Sequence, residues 1–154
     1  MFLPNKLTAA PPNNRRKLSS TKPHDDIARA ATYSLHISGI IIIGIAVKSL
    51  IRSQAATLPF LIERMERHPL GSQAFMPLHQ RPFPVIVAPA GDDPDIQTIR
   101  GFISSGGQGI NFHKGVWHHY QISLNGICDY LVIDRIGPNF NCEEWVLDRK
   151  LVIS

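Results

Sequence analysis

Residues 109–134 read GINFHKGVWHHYQISLNGICDYLVID, and the reading of this stretch decides the fold class. It holds three short runs, Gly109 to Phe112, Val116 to Leu124 and Cys128 to Asp134, each apolar or alternating. Runs of this length, rich in β-branched and aromatic residues, read as strands. Gly115 makes a turn after the first run. Asn125-Gly126 separates the last two, a dipeptide that favours a two-residue hairpin.

The same punctuation continues outward. Leu58 to Met65, Ser72 to Leu78 and Pro84 to Ala88 are further short runs between prolines, glycines and charged turns. Gly91-Asp92-Asp93-Pro94-Asp95 is a strong turn, and Ile96 to Arg100 reads as a short helical segment. Twelve prolines and eleven glycines in 154 residues argue against long helices. Many short strands at this spacing predict a β-sandwich or barrel.

Charge divides the chain. Residues 1–52 carry eight bases and two acids, while residues 53–154 carry eight bases and ten acids. The basic part lacks the interleaved aromatics of a nucleic-acid surface, so it reads as a solvated tail. Pro11-Pro12-Asn13-Asn14-Arg15-Arg16-Lys17 and Ser19 to Pro23 read as loop or disorder. Ile37 to Val47 is free of charge but far shorter than the ~20 residues of a spanning helix. Its β-branched run, Ile40 to Ile43, reads as a buried strand. No signal peptide is evident. Cys128 and Cys142 form no C-x-x-C pair, which fits a reducing cytoplasm and gives no zinc knuckle.

Two clusters could do chemistry. In a strand, Glu66 and His68 are two apart and share a face, so a carboxylate oxygen and an imidazole nitrogen can meet one divalent metal. Gln73 could add an oxygen ligand or orient a substrate carbonyl. The second cluster places His113, His118 and His119 around Gly115, with Lys114 and Trp117 between them. Histidine serves as acid, base or ligand near neutrality.

Together the clusters resemble the paired motifs of the cupin superfamily. Glu66-x-His68, four residues, then Gln73 stand where the first motif has H-x-H and E. His113-Lys114-Gly115-Val116-Trp117-His118 stands where the second has P-x-G-x-x-H. A closer resemblance is to bacterial ureidoglycolate lyases. Arg67 to Leu78 is similar to their E-R-H-P-x-x-x-Q-A-F-x-P signature and Gly107 to His119 to their G-x-N-Y-H-x-x-x-W-H-H block. Asp129 to Arg135 resembles their D-F-L-x-I-D-R strand and Cys142-Glu143-Glu144 their N-C-E-E stretch. These blocks cover about residues 52–153. Tyr120 stands where the family usually has proline. Pro23 to Ala28 echoes the family's R-Y-H-D-x-A stretch only faintly.

The resemblance implies an all-β, cupin-like double-stranded β-helix barrel, incomplete at the N-terminus. Residues 52–154 would be its catalytic domain and residues 1–51 an atypical, basic, partly disordered segment. It implies cleavage of ureidoglycolate to glyoxylate and urea in purine degradation. The implied catalytic residues are His68, His113, His118 and His119. Arg67, Gln73, Lys114 and Trp117 would bind substrate. Glu66, His68, Gln73 and His118 would hold a divalent metal, nickel being the first to expect. A cytoplasmic homodimer, with no nucleic acid and no membrane as partner, is the implied setting. Three other readings compete: a non-catalytic cupin-like binder, which would release no urea, a hydrolase, which would release ammonia and carbon dioxide with glyoxylate, and an inactive relic with a disrupted N-terminus.

Overall fold

A computed structural model of the chain describes residues 3–5, 7–12, 17–18 and 45–154, with side chains from Leu50 onward. Fourteen strands follow one another: β1 (Leu3–Asn5), β2 (Leu7–Pro12), β3 (Lys17–Leu18), β4 (Ile45–Arg52), β5 (Gln54–Ala56), β6 (Phe60–Arg67) and β7 (Gln73–Pro77). Then come β8 (Pro84–Ala88), β9 (Arg100–Ile103), β10 (Ile110–Phe112), β11 (Trp117–His118), β12 (Ile122–Leu124), β13 (Asp129–Arg135) and β14 (Glu143–Ile153). No helix occurs among the described residues, so the all-β expectation holds.

The strands form a large sheet ordered β1-β9-β8-β11-β6-β14-β2, with β3 also on β14, and a second sheet ordered β10-β7-β13-β4. All pairs in these two sheets are antiparallel. The period-two alternation of β8 shows why the large sheet is buried on both faces. Val85 and Val87 join Phe75, Phe83, Phe112, Tyr130 and Val132 in a cluster that ties the two sheets together. Ile86 and Ala88 join Ile62, Met65, Trp117, Leu147 and Leu151 on the opposite face.

Several elements depart from expectation. Ile96–Thr98 is a turn, not a helix: Asp95 accepts from the Gln97 and Thr98 main chains at 2.9 Å each, which closes the chain before Arg100 starts a strand. Val116 to Leu124 is two strands, broken at His119 to Gln121. Asn125 and Gly126 do adopt positive φ (59° and 149°), but they do not join a hairpin. β12 pairs in parallel with β5, and β13 pairs with β4 and β7, because tertiary partners outcompete the local one. Pro11 and Pro12 lie in a strand instead of a loop. β2 is the outermost strand of its sheet, where a missing N–H breaks no ladder. β1 to β4 thus lie along sheet margins, on β9, β14 and β13. The expected strand Ile40 to Ile43, the Asn13 to Arg16 stretch and the Pro23 to Ala28 echo lie outside the described residues.

Candidate metal and substrate site

The site assembles where β6 ends, β7 begins and β11 passes between β6 and β8. Glu66 and His118 are direct cross-strand partners. Alternation turns Glu66, His68 and His118 toward the interior that the two sheets share, and sends Met65, Arg67 and Trp117 to the reverse face. Gly115, at φ 76°, lets its turn double back so that its N–H reaches the His68 carbonyl at 3.0 Å. Glu66, His68 and His118 each offer a ligand atom, and these lie within 4.8 Å of one another.

Hydrogen bonding decides how each group faces. His68 Nδ1 donates to the Asn141 carbonyl at 2.5 Å, which leaves the lone pair on Nε2. That Nε2 is buried with no partner. His118 is fully buried, and Phe112 stacks on it with ring centroids 4.0 Å apart. Its Nδ1 faces the Val116 carbonyl at 3.1 Å. Its Nε2 faces two more oxygens, Gln73 Oε1 at 3.1 Å and Glu66 Oε1 at 3.4 Å. A neutral imidazole has one N–H, so it cannot satisfy acceptors on both nitrogens. A cation at Nε2, a proton or a metal ion, resolves the conflict.

The donor set fits a divalent metal: two imidazole nitrogens, a carboxylate oxygen and a neighbouring amide oxygen. Ligand atoms each about 2.1 Å from one ion stand at most ~4.2 Å apart, so the cluster needs only a contraction of roughly half an ångström. Burial alone would raise the pKa of Glu66. The His118 hydrogen bond and the positive potential of His118, His68 and His119 outweigh it and hold Glu66 below the ordinary carboxylate range.

The other expected residues are not brought into this cluster. Arg67 lies over the Trp117 ring at 4.8 Å, pairs with Glu143 at 2.7 Å and bonds the Gly91 carbonyl. Trp117 is wholly buried in the opposite core and donates to the same carbonyl at 3.0 Å. His119 packs against Phe60 and Tyr120 and donates from Nδ1 to the Tyr120 carbonyl at 2.8 Å. Burial lowers its pKa to about 4. His113 and Lys114 are exposed on the turn that braces His68. Besides Phe112, stacked on His118, and Asp134, bonded to Gln73, two more residues that sequence reasoning passed over touch the cluster. One is Asn141, through His68. The other is Cys142, whose Sγ lies 3.9 Å from Glu66 Oε2. Their only signal was membership of the N-C-E-E stretch.

The family model described as ureidoglycolate lyase matches residues 19–154, further toward the N-terminus than the blocks quoted above. A protein named ureidoglycolate lyase from Pseudomonas fluorescens is 46% identical over 111 residues, 71% of this chain and 66% of that one. Proteins of the same name from Pseudomonas syringae pv. syringae and Burkholderia mallei are 48% and 51% identical, over 64% and 69% of this chain and 58% and 62% of theirs. The chain matches less than two thirds of the length of each.

Proposed function

This chain belongs to the ureidoglycolate lyase family, and from that premise we propose that it cleaves ureidoglycolate into glyoxylate and urea. The observation that carries the proposal is the convergence of Glu66, His68 and His118 on one point, with Gln73 beside them.

Ureidoglycolate carries a hydroxyl, a carboxylate and a ureido nitrogen on one carbon. Removing the hydroxyl proton turns C–O into C=O and breaks C–N. Protonation of the departing nitrogen gives urea, and no water is consumed. Of the four donors, Glu66, His118 and Gln73 Oε1 would hold a divalent cation, nickel first among the candidates, and His68 would be kept for the substrate. Bound there, the cation would act as a Lewis acid on the substrate's hydroxyl and carboxylate oxygens.

We assign the hydroxyl proton to His68, because its Nε2 lone pair has no hydrogen-bond partner and its other nitrogen is anchored. A positioned base contributes typically ~10²–10⁴-fold. We assign the substrate carboxylate to Lys114, on the turn bonded to His68, since Arg67 is committed to Glu143. His113 on the same turn is assigned the proton for the leaving nitrogen. His119, held near 4, is neutral at pH 7 and ill suited to donate.

The wider reading is a homodimeric cytoplasmic enzyme of purine degradation, with residues 52–154 as its cupin-like catalytic part. No helix among the described residues is long and apolar enough to cross a membrane. The test is release of urea and glyoxylate from ureidoglycolate by the purified chain. His68→Ala is expected to lower turnover ~10²–10⁴-fold while a divalent cation still binds. Ammonia as the nitrogen product, or wild-type turnover in His68→Ala, would overturn the assignment.

A further inference from the structure

The inference rests on the reading of Glu66, His68, Gln73 and His118 as a cation and substrate site. A histidine has two neutral tautomers and a glutamine two amide orientations, and each pair differs in which atom faces inward. Something outside the cluster has to choose. The main-chain oxygen of Asn141 chooses for His68 by accepting its Nδ1–H. Asn141 Oδ1 also accepts the Leu70 N–H at 2.7 Å, which fixes the chain just beyond His68. Asp134, on β13 and 3% exposed, chooses for Gln73. Its Oδ2 accepts from Gln73 Nε2 at 3.4 Å, so Oε1 of the same amide is the atom left facing His118. Its Oδ1 accepts from the Arg135 N–H at 2.6 Å and from Asn141 Nδ2 at 3.5 Å, which links the two contacts.

We propose that Asp134 and Asn141 are positioning residues. They set the tautomer of His68 and the amide orientation of Gln73, so that the imidazole lone pair sits on Nε2 and the amide oxygen faces His118. Neither touches the substrate. A carboxylate suits position 134 because Gln73 Nε2, the Arg135 N–H and Asn141 Nδ2 all approach it as donors. An amide there offers one acceptor oxygen and turns an NH₂ against one of them. Gln73 would relieve that clash by flipping, and its own NH₂ would then cap the lone pair of His118 Nε2.

Cobalt(II) titration of the full chain, followed by visible absorption, reads this without relying on turnover. Asp134→Asn is expected to weaken Co²⁺ binding about 10–100-fold. Adding Gln73→Glu to that variant restores an oxygen toward both His118 and the new amide, and is expected to recover the affinity. Unchanged binding in Asp134→Asn overturns the role of Asp134. So does a loss that Gln73→Glu fails to rescue, since a merely structural defect would not respond. If Asp134→Asn does not fold, ¹⁵N imidazole spectra of the wild-type chain decide through His68. A proton on Nδ1 is expected, and a proton on Nε2 overturns the proposal. Failure of the cation reading looks different: wild type and His118→Ala would bind Co²⁺ equally poorly, while His68 still showed its Nδ1–H form.

Discussion

Acid should destabilise this protein through His119, and the structure sets the size of the effect. The ring is 4% exposed, wedged against Phe60 and Tyr120, and burial lowers its pKa from 6.5 to about 4. Because the folded-state value is depressed, the unfolded chain binds more protons between these two values. The contribution is therefore full above pH 6.5 and is lost as pH falls toward 4. A gap of about 2.5 pH units amounts to roughly 3 kcal/mol when fully lost, and about 2 kcal/mol is already gone at pH 5. That is a large part of the 5–15 kcal/mol typical of a whole domain. His119→Asn removes the titration and keeps an amide N–H where Nδ1 donates to the Tyr120 carbonyl. Urea unfolding at pH 7 and pH 5, followed by the fluorescence of Trp117 and Trp145, gives the comparison. The variant starts less stable at pH 7, because its smaller side chain packs less well on Phe60. The wild type should nevertheless lose about 2 kcal/mol more than the variant between the two pH values. Equal losses in both proteins would refute the argument, and a folded-state NMR titration of His119 near 6.5 would refute its premise.

Further outcomes follow from other parts of the fold. Tyr130 is fully buried, bonds Ser123 at 2.8 Å and has its pKa raised to about 12, so its contribution is intact below pH 10 and lost as pH rises through 12. Tyr130→Phe should remove about 2 kcal/mol of alkaline destabilisation, measured as stability at pH 9 against pH 11.5. Gly115→Ala meets only Ala90 Cβ at 3.5 Å, so its cost is the positive φ, about 1–2 kcal/mol. Thermal unfolding should fall by a few degrees, and turnover should fall with it because His68 leans on that turn. Divalent cation at 100 times its Kd should stabilise the wild type by about 2.7 kcal/mol. His118→Ala should show no such shift, and a chelator should reverse it in the wild type.

Much of the site was legible before any coordinates. Period two put Glu66 and His68 on one face, and the glycine at 115 required a turn. The same rule, carried one residue further, sends Arg67 to the face opposite its neighbours and separates Trp117 and His119 from His118. A cluster of adjacent histidines therefore looks like one site in the sequence, while a strand divides it between two surfaces. Asn141 and Asp134 could not be found this way. Their partners are 73 and 61 residues distant, and an asparagine or aspartate carries no periodic signal.

By itself the sequence determined what depends on neighbouring residues: the all-β class, most strand positions, the turn at Gly115 and the pairing of Glu66 with His68. Only the tertiary structure decided what depends on distant ones. It paired β12 in parallel with β5 where Asn125-Gly126 suggested a hairpin, found β9 and β14 outside the strongest apolar runs, and brought Asp134 and Asn141 up behind the site. The physical reason is that backbone hydrogen bonds are indifferent to sequence distance. Which strand lies alongside which is settled by burying two faces of one sheet at once, a condition that no local stretch of chain can express.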